Sequence, residues 1–280
     1  MGATKNKGDM ADSHSQDVLP PWIIPFYKEE LLPTLVDFFG AQSDPWELSG
    51  TDGLLFSSIL ECIIMDICPK EHYVPVRSGT DKLYTVSRQQ ISNYHCKFQL
   101  TAVTLVQKEV RAQQKHGQNA VVKFVMDALA PQNGAAYWGE TKGSNGPEGT
   151  FLSDYIVKTL AEHVKAMEGS LLEEHHFPVG TFILAITAVT HAFRMFSTGA
   201  YINGGAFSKE NVSTLMSEWS DGIAVKTFLA KPHRQDQLLK KIKTFLENPN
   251  PQETMHKSSG LGSTDEHTHG LKQPSMWRGR

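Results

Sequence analysis

The sequence predicts an all-α protein, an irregular bundle of about seven or eight helices packed around one apolar helix. Three observations carry that expectation. The longest nearly continuous apolar run, PVGTFILAITAVTHAFRMFST over 178–198, sets Phe182, Ile186, Val189, Phe193 and Phe196 on one face at helical spacing. Apolar residues recur at i, i+3 and i+4 through most of the remaining chain, and neither a series of alternating strands nor an internal repeat interrupts them.

Taken in order, residues 1–20 are polar and aperiodic, the pattern of a disordered tail. Helical patterning starts with Phe26, Leu31, Leu35, Phe38 and Phe39 and stops at Gly40, with a kink or a helix start expected at Pro33. Trp46 reads as a packing anchor in the connector DPWELSG. Asp52 is the expected N-cap of an apolar helix that Pro69 ends. KEHYVPVRSGTDKLYTVS is aperiodic, with HYVPV extended and SGTD a turn. From Arg88 to His116 runs the longest helical pattern, its buried face marked by Ile91, Tyr94, Phe98, Ala102, Leu105 and Val106. A shorter helix covers 121–130. The Gly-rich stretch 131–150 is too irregular for an element and reads as a loop, functional or merely joining two hinged halves. Leu152 to Met167 form a helix closed by Gly169. The central helix follows, with Pro178 in its first turn and Gly199 just beyond its end. Ser208 caps the next helix, and Pro232 opens the last, RQDQLLKKIKTFLE. Residues 248–280 form a second polar tail, so the expected domain is 21–247.

Composition narrows the class. The 280 residues are 40% hydrophobic and 20% charged, with a net charge of −3, so no global field calls for nucleic acid or an anionic membrane. The apolar run carries His191 and Arg194 and is too short for a membrane span. Three cysteines, Cys62, Cys68 and Cys96, are an odd number without paired spacing, which suits a reducing compartment. The expected location is therefore intracellular, cytoplasm or nucleus.

Three constellations are candidates for chemistry. Thr187, His191 and Arg194 form a narrow polar stripe on the central helix. It reads either as the wall of a pocket for an acidic small molecule or as a satisfied network in which Glu162, Glu173 or Asp221 pairs the arginine. Arg88, Lys97, Lys108, Arg111 and Lys115 stand against Glu109 alone, a basic face that would bind nucleic acid with help from Tyr94 and His95. The alternative is an ordinary solvated helix face. His163, His175, His176 and His191 lie close together in sequence, and Glu173-x-x-His176 has the spacing of a di-metal bundle motif. The second such motif that a di-metal site requires is missing, so no metal or cofactor is expected. Hydrolase elbows, phosphate loops and HExxH are absent too.

Several stretches carry a resemblance: FFG…DPW over 38–46, the apolar helix ending in Cys68-Pro69, Tyr84…Ile91-Ser92-Asn93-Tyr94, and TAVTHAFRMFSTGAY…FSKENV. Over roughly residues 27–246 the chain resembles an uncharacterised family, a domain of unknown function abundant in mushroom-forming fungi. It departs from that family at Tyr94-His95, where a Trp-Arg pair is expected, and at Phe196, where Trp is usual. The resemblance implies an all-helical fold and a fungal source, and it implies no activity. The functional expectation is a non-enzymatic helical module that binds a protein partner. Its alternatives are a nucleic-acid-binding protein using helix 88–116 and a small-molecule or metal-dependent enzyme at helix 178–198.

Overall fold

The computed structural model describes residues 19–46, 48, 56–77 and 79–248. Almost all of both expected tails, and the expected cap Asp52, lie outside the described residues. Leu19, assigned to the first tail, is described and belongs to the core. The chain divides into two units, Met1–Leu246 and Glu247–Arg280, and the buried core belongs to the first.

Among the described residues the fold is all-α but for one hairpin. The elements are α1 (Leu32–Ala41), α2 (Phe56–Ile67), α3 (Lys82–Gln114), α4 (Gln118–Ala128), β1 (Trp138–Gly143), β2 (Gly146–Thr150), α5 (Asp154–Ala166), α6 (Val179–Arg194), α7 (Lys209–Ser220), α8 (Ile223–Leu229) and α9 (Pro232–Glu247). Helices α3, α5 and α6 pack on one another as the centre of the bundle, with α1 and α7 also against α6. The expectation for α6 holds: its residues from Gly180 to Thr190 are all buried, as are Ala192 and Phe193. Its large side chains meet an aromatic cluster in which Phe182 stacks on Phe228 at 4.8 Å and meets Phe151 edge-on at 5.3 Å.

Pro33 acts as expected, and its effect is specific. A short turn, Ile24–Phe26, passes through a π-helical segment, Tyr27–Leu31, into α1. Proline has no N–H to donate, so the carbonyl of Glu29 lacks its usual partner four residues on. The chain at Gly169 lies against that carbonyl, so closely that a β-carbon there would come within 2.1 Å of the oxygen.

Two expectations need correction. The long helix begins at Lys82, not Arg88, because Asp81 caps it: the Asp81 carboxylate accepts from the Tyr84 N–H at 3.0 Å. The same carboxylate also accepts from the Val76 N–H and the Tyr73 hydroxyl, tying the extended 73–76 segment to the helix start. The stretch 131–150 is not an irregular loop throughout. Strands β1 and β2 pair antiparallel, with Trp138 opposite Thr150, Glu140 opposite Glu148 and Gly143 opposite Gly146. The turn requires Gly146, whose φ is +111°. Just after β2, Phe151 adopts a φ of +61°, an outlier for a bulky residue, and its ring is buried in the aromatic cluster.

Candidate functional site: a basic cleft beside a sealed polar core

Polar chemistry falls in two places. The first is a buried network where α1, α3, α5 and α6 meet. Tyr94 continues the Ile91 and Phe98 face of α3 and is buried, and its hydroxyl lies 2.8 Å from His163 Nδ1 and 3.1 Å from Thr181 Oγ1. Burial pushes His163 down to about 4, a shift that the nearby Asp37 carboxylate partly opposes. A neutral ring with an unprotonated Nδ1 satisfies both contacts: Tyr94 donates to the ring and accepts from Thr181. Burial likewise raises the Tyr94 hydroxyl well above its ordinary value. Helix α1 approaches this cluster through Gly40, where a β-carbon would lie 2.5 Å from His163 Cε1 and 2.7 Å from Thr181 Oγ1. One turn earlier, buried Asp37 accepts from Ser170 Oγ at 2.7 Å and pairs with His175 Nδ1 at 2.6 Å, fastening the α5–α6 connection to α1.

The second place is an open cleft of about 650 Å³ between the first turns of α3, Trp46 and Leu48, Arg77 and Gly79, and the start of α7. Its floor is Trp46, Tyr84, Ile91 and His95, and its cations are Arg77, Arg88 and Lys209. Trp46 is indeed an anchor: its indole ring lies 4.4 Å from the His95 ring and donates from Nε1 to Met216 Sδ at 2.9 Å. Burial pushes His95 down to about 4, so it contributes a flat neutral ring to the floor. Lys209 Nζ bonds Asp44 Oδ2 at 2.9 Å. Arg77 and Arg88 are exposed and have no hydrogen-bond or ion-pair partner among the described residues.

The expected site residues separate. Thr187 is 0% exposed, and its hydroxyl has no partner among the described residues. His191 is half-buried, its pKa lowered by burial against the bond it makes to the Gly204 backbone, and its Nδ1 is also unpartnered among the described residues. Arg194 is not buried: its side chain is 54% exposed and reaches Glu218 at 3.6 Å, not Glu162, Glu173 or Asp221. The stripe therefore runs from core to surface instead of lining one wall.

The basic face also divides. Arg88, Lys97, Lys108, Arg111 and Lys115 are all exposed. At about 100° per residue the last four fall within about 60° of one another, and Arg88 is turned about 140° or more away. Tyr94 and His95, expected to assist nucleic-acid binding, are buried beneath the surface and cannot. Only Arg88 of the five lines the cleft.

Sequence reasoning missed Arg77, Trp46 and Lys209 as companions of Arg88; they come from three separate segments, and no local spacing links them. Among the described residues no group of three or more His, Cys, Asp or Glu is placed to hold a metal ion. No helix among them is long and apolar enough to cross a membrane.

No curated protein and no solved structure matches the chain. A family does: residues 44–224, well over half of the sequence, match it, and they span the cleft, α3, the hairpin and the central helix. The chain thus belongs to the family described as the domain of unknown function DUF6532.

Proposed function

We propose that the protein is a non-enzymatic helical module that binds a protein partner. One observation carries this reading: the groups best suited to acid–base work are spent inside the fold. His163 and Tyr94 bond each other and Thr181 in the core, Asp37 is taken by Ser170 and His175, and His95 lies under Trp46. A general acid or base must come within hydrogen-bond reach of its substrate, and no substrate reaches a 1% exposed His163. What the surface offers instead is a cleft with aromatic and cationic walls, the materials of an interface.

The same reading takes 21–247 as a single domain, supported by one contiguous apolar cluster from Leu19 to Ile242. It also places the protein inside the cell of a mushroom-forming fungus, in cytoplasm or nucleus, in keeping with three free cysteines and the family resemblance. Nucleic-acid binding along helix 82–114 is the weaker reading, because its cations face two directions.

Affinity capture from native extract with the full chain as bait tests the module reading. A stoichiometric partner, retained by the Tyr94→Phe variant, is the expected result. Turnover of a small molecule that depends on His191 or Arg194 would overturn it.

A further inference from the structure

The cleft contains two guanidinium groups without a hydrogen-bond or ion-pair partner among the described residues. Arg77 and Arg88 come from segments on opposite sides of the Asp81 cap, so the capped start of α3 holds both at one cleft. The single acid in the lining, Glu210, makes no ion pair with either arginine. Its own backbone N–H, and then the Ser208 hydroxyl, hold its carboxyl below the usual range. Asp44 is likewise engaged, by Lys209. The protein as a whole carries −3, so this positive site is a local island.

The shape of the island selects among anions. A nucleic-acid backbone needs cations in a continuous track. Beyond Arg88 the next cations of α3 are on another side of the helix, so no track leaves the cleft along it. Arginine matches a carboxylate with two parallel N–H donors, and the half-buried Trp46 ring, backed by Tyr84 and His95, suits an aromatic or apolar side chain between two charges. A volume of about 650 Å³ holds a few side chains.

We infer that this cleft docks an acidic peptide segment of the partner, with carboxylates on Arg77 and Arg88 and an apolar or aromatic side chain laid on Trp46. The inference rests on the interaction-module reading and adds the docking place and the chemistry of the docked segment.

Fluorescence anisotropy of a labelled (Glu-Glu-Tyr)4 peptide against the full chain tests it, with (Lys-Lys-Tyr)4 and a twelve-residue oligo-dT as comparison probes. The acidic peptide binds at about 50 mM salt and weakens on addition of salt, as contacts between exposed charges do. Arg77→Glu with Arg88→Glu weakens it at least about tenfold, the scale expected for losing charge-assisted bonds and adding repulsion. Lys97→Glu with Lys115→Glu, on the other side of α3, leaves it unchanged. Both pairs are exposed, and circular dichroism confirms that each variant folds. Failure of the acidic peptide to bind, equal binding by the Arg77/Arg88 variant, or preference for oligo-dT overturns the inference. A native partner captured equally by wild type and that variant overturns the docking place and leaves the module reading intact; a catalytic turnover overturns the module reading itself.

Discussion

The buried network at Gly40 and the cleft at Arg88 use the same vocabulary, histidine with aromatic rings and hydroxyls, for opposite ends. In the network the hydroxyls turn to partners of this chain: Tyr94 bridges His163 and Thr181, and Gly40 removes the space a ligand would need. In the cleft the aromatic rings are packed from behind, and the two arginines in front have no partner among the described residues. Burying a polar group is costly unless its bonds are made internally, so a network closed on itself in the core has nothing left to offer. Binding needs the reverse. The difference separates the structural chemistry from the functional chemistry, and each of the two regions can be strained separately.

The largest effect expected is on acid stability. His95 and His163 are both held near 4 in the fold, against 6.5 for an ordinary imidazole, so both fold neutral. Between those values the unfolded chain binds more protons than the folded one. Stability is therefore complete above about pH 6.5 and is lost progressively as pH falls toward 4. At about 1.4 kcal/mol per unit the two histidines together amount to roughly 7 kcal/mol. Urea unfolding midpoints across pH 7.5 to 4 measure this, and a flat profile would mean that the two rings are not sealed.

Next in size is Tyr94→Phe, which deprives His163 Nδ1 and Thr181 Oγ1 of a shared partner inside the core. A loss of about 2 kcal/mol follows from leaving buried polar atoms unpaired, read as a lower unfolding midpoint with an unchanged denaturant slope. Gly40→Ala comes third. Helix propensity favours alanine by roughly 1 kcal/mol, but the added carbon meets an imidazole that its own bond to Tyr94 keeps from moving away. The net expectation is a destabilisation of about 1 kcal/mol. The smallest stability effect is expected in the cleft: Arg77→Ala and Arg88→Ala each shift stability by no more than about 0.5 kcal/mol, since exposed charges without partners contribute little. The ranking inverts for binding, where these two have the largest effect and Tyr94→Phe has none.

How much of this was legible in the sequence depends on the range of the signals. The central helix was readable because Pro178 and Gly199 bracket a periodic apolar run, and local pattern and tertiary burial agree there. The start of α3 was not read, although Asp81 ahead of Lys82-Leu83-Tyr84 is an ordinary cap; the lack of periodicity in the preceding residues hid it. The hairpin was missed for a related reason. Asn145-Gly146 is a strong turn signal, but its strands, WGETKG and GPEGT, have almost none of the β-branched alternation that identifies strands. At the candidate sites, periodicity placed Tyr94 on the buried face correctly, and its use in a nucleic-acid surface contradicted that placement. Arg194 is expected to line a pocket or pair with Glu162, Glu173 or Asp221, but it stands on the face of the last α6 turn that meets solvent, opposite buried Ala192 and Phe193, and reaches Glu218. The cleft depends on Trp46, Arg77, Arg88 and Lys209 coming together from four segments. No single-chain pattern encodes such a convergence.

One measurement addresses both regions at once: an amide NMR titration of the 15N-labelled full chain with the (Glu-Glu-Tyr)4 peptide. Saturable shifts are expected at Trp46, Arg77, Arg88, Ser92 and Lys209, with Gly40, Tyr94, His163 and Thr181 unmoved. Shifts centred on Tyr94, Thr181 or His191, or no saturable shifts at all, would contradict the separation of a sealed core from a binding cleft.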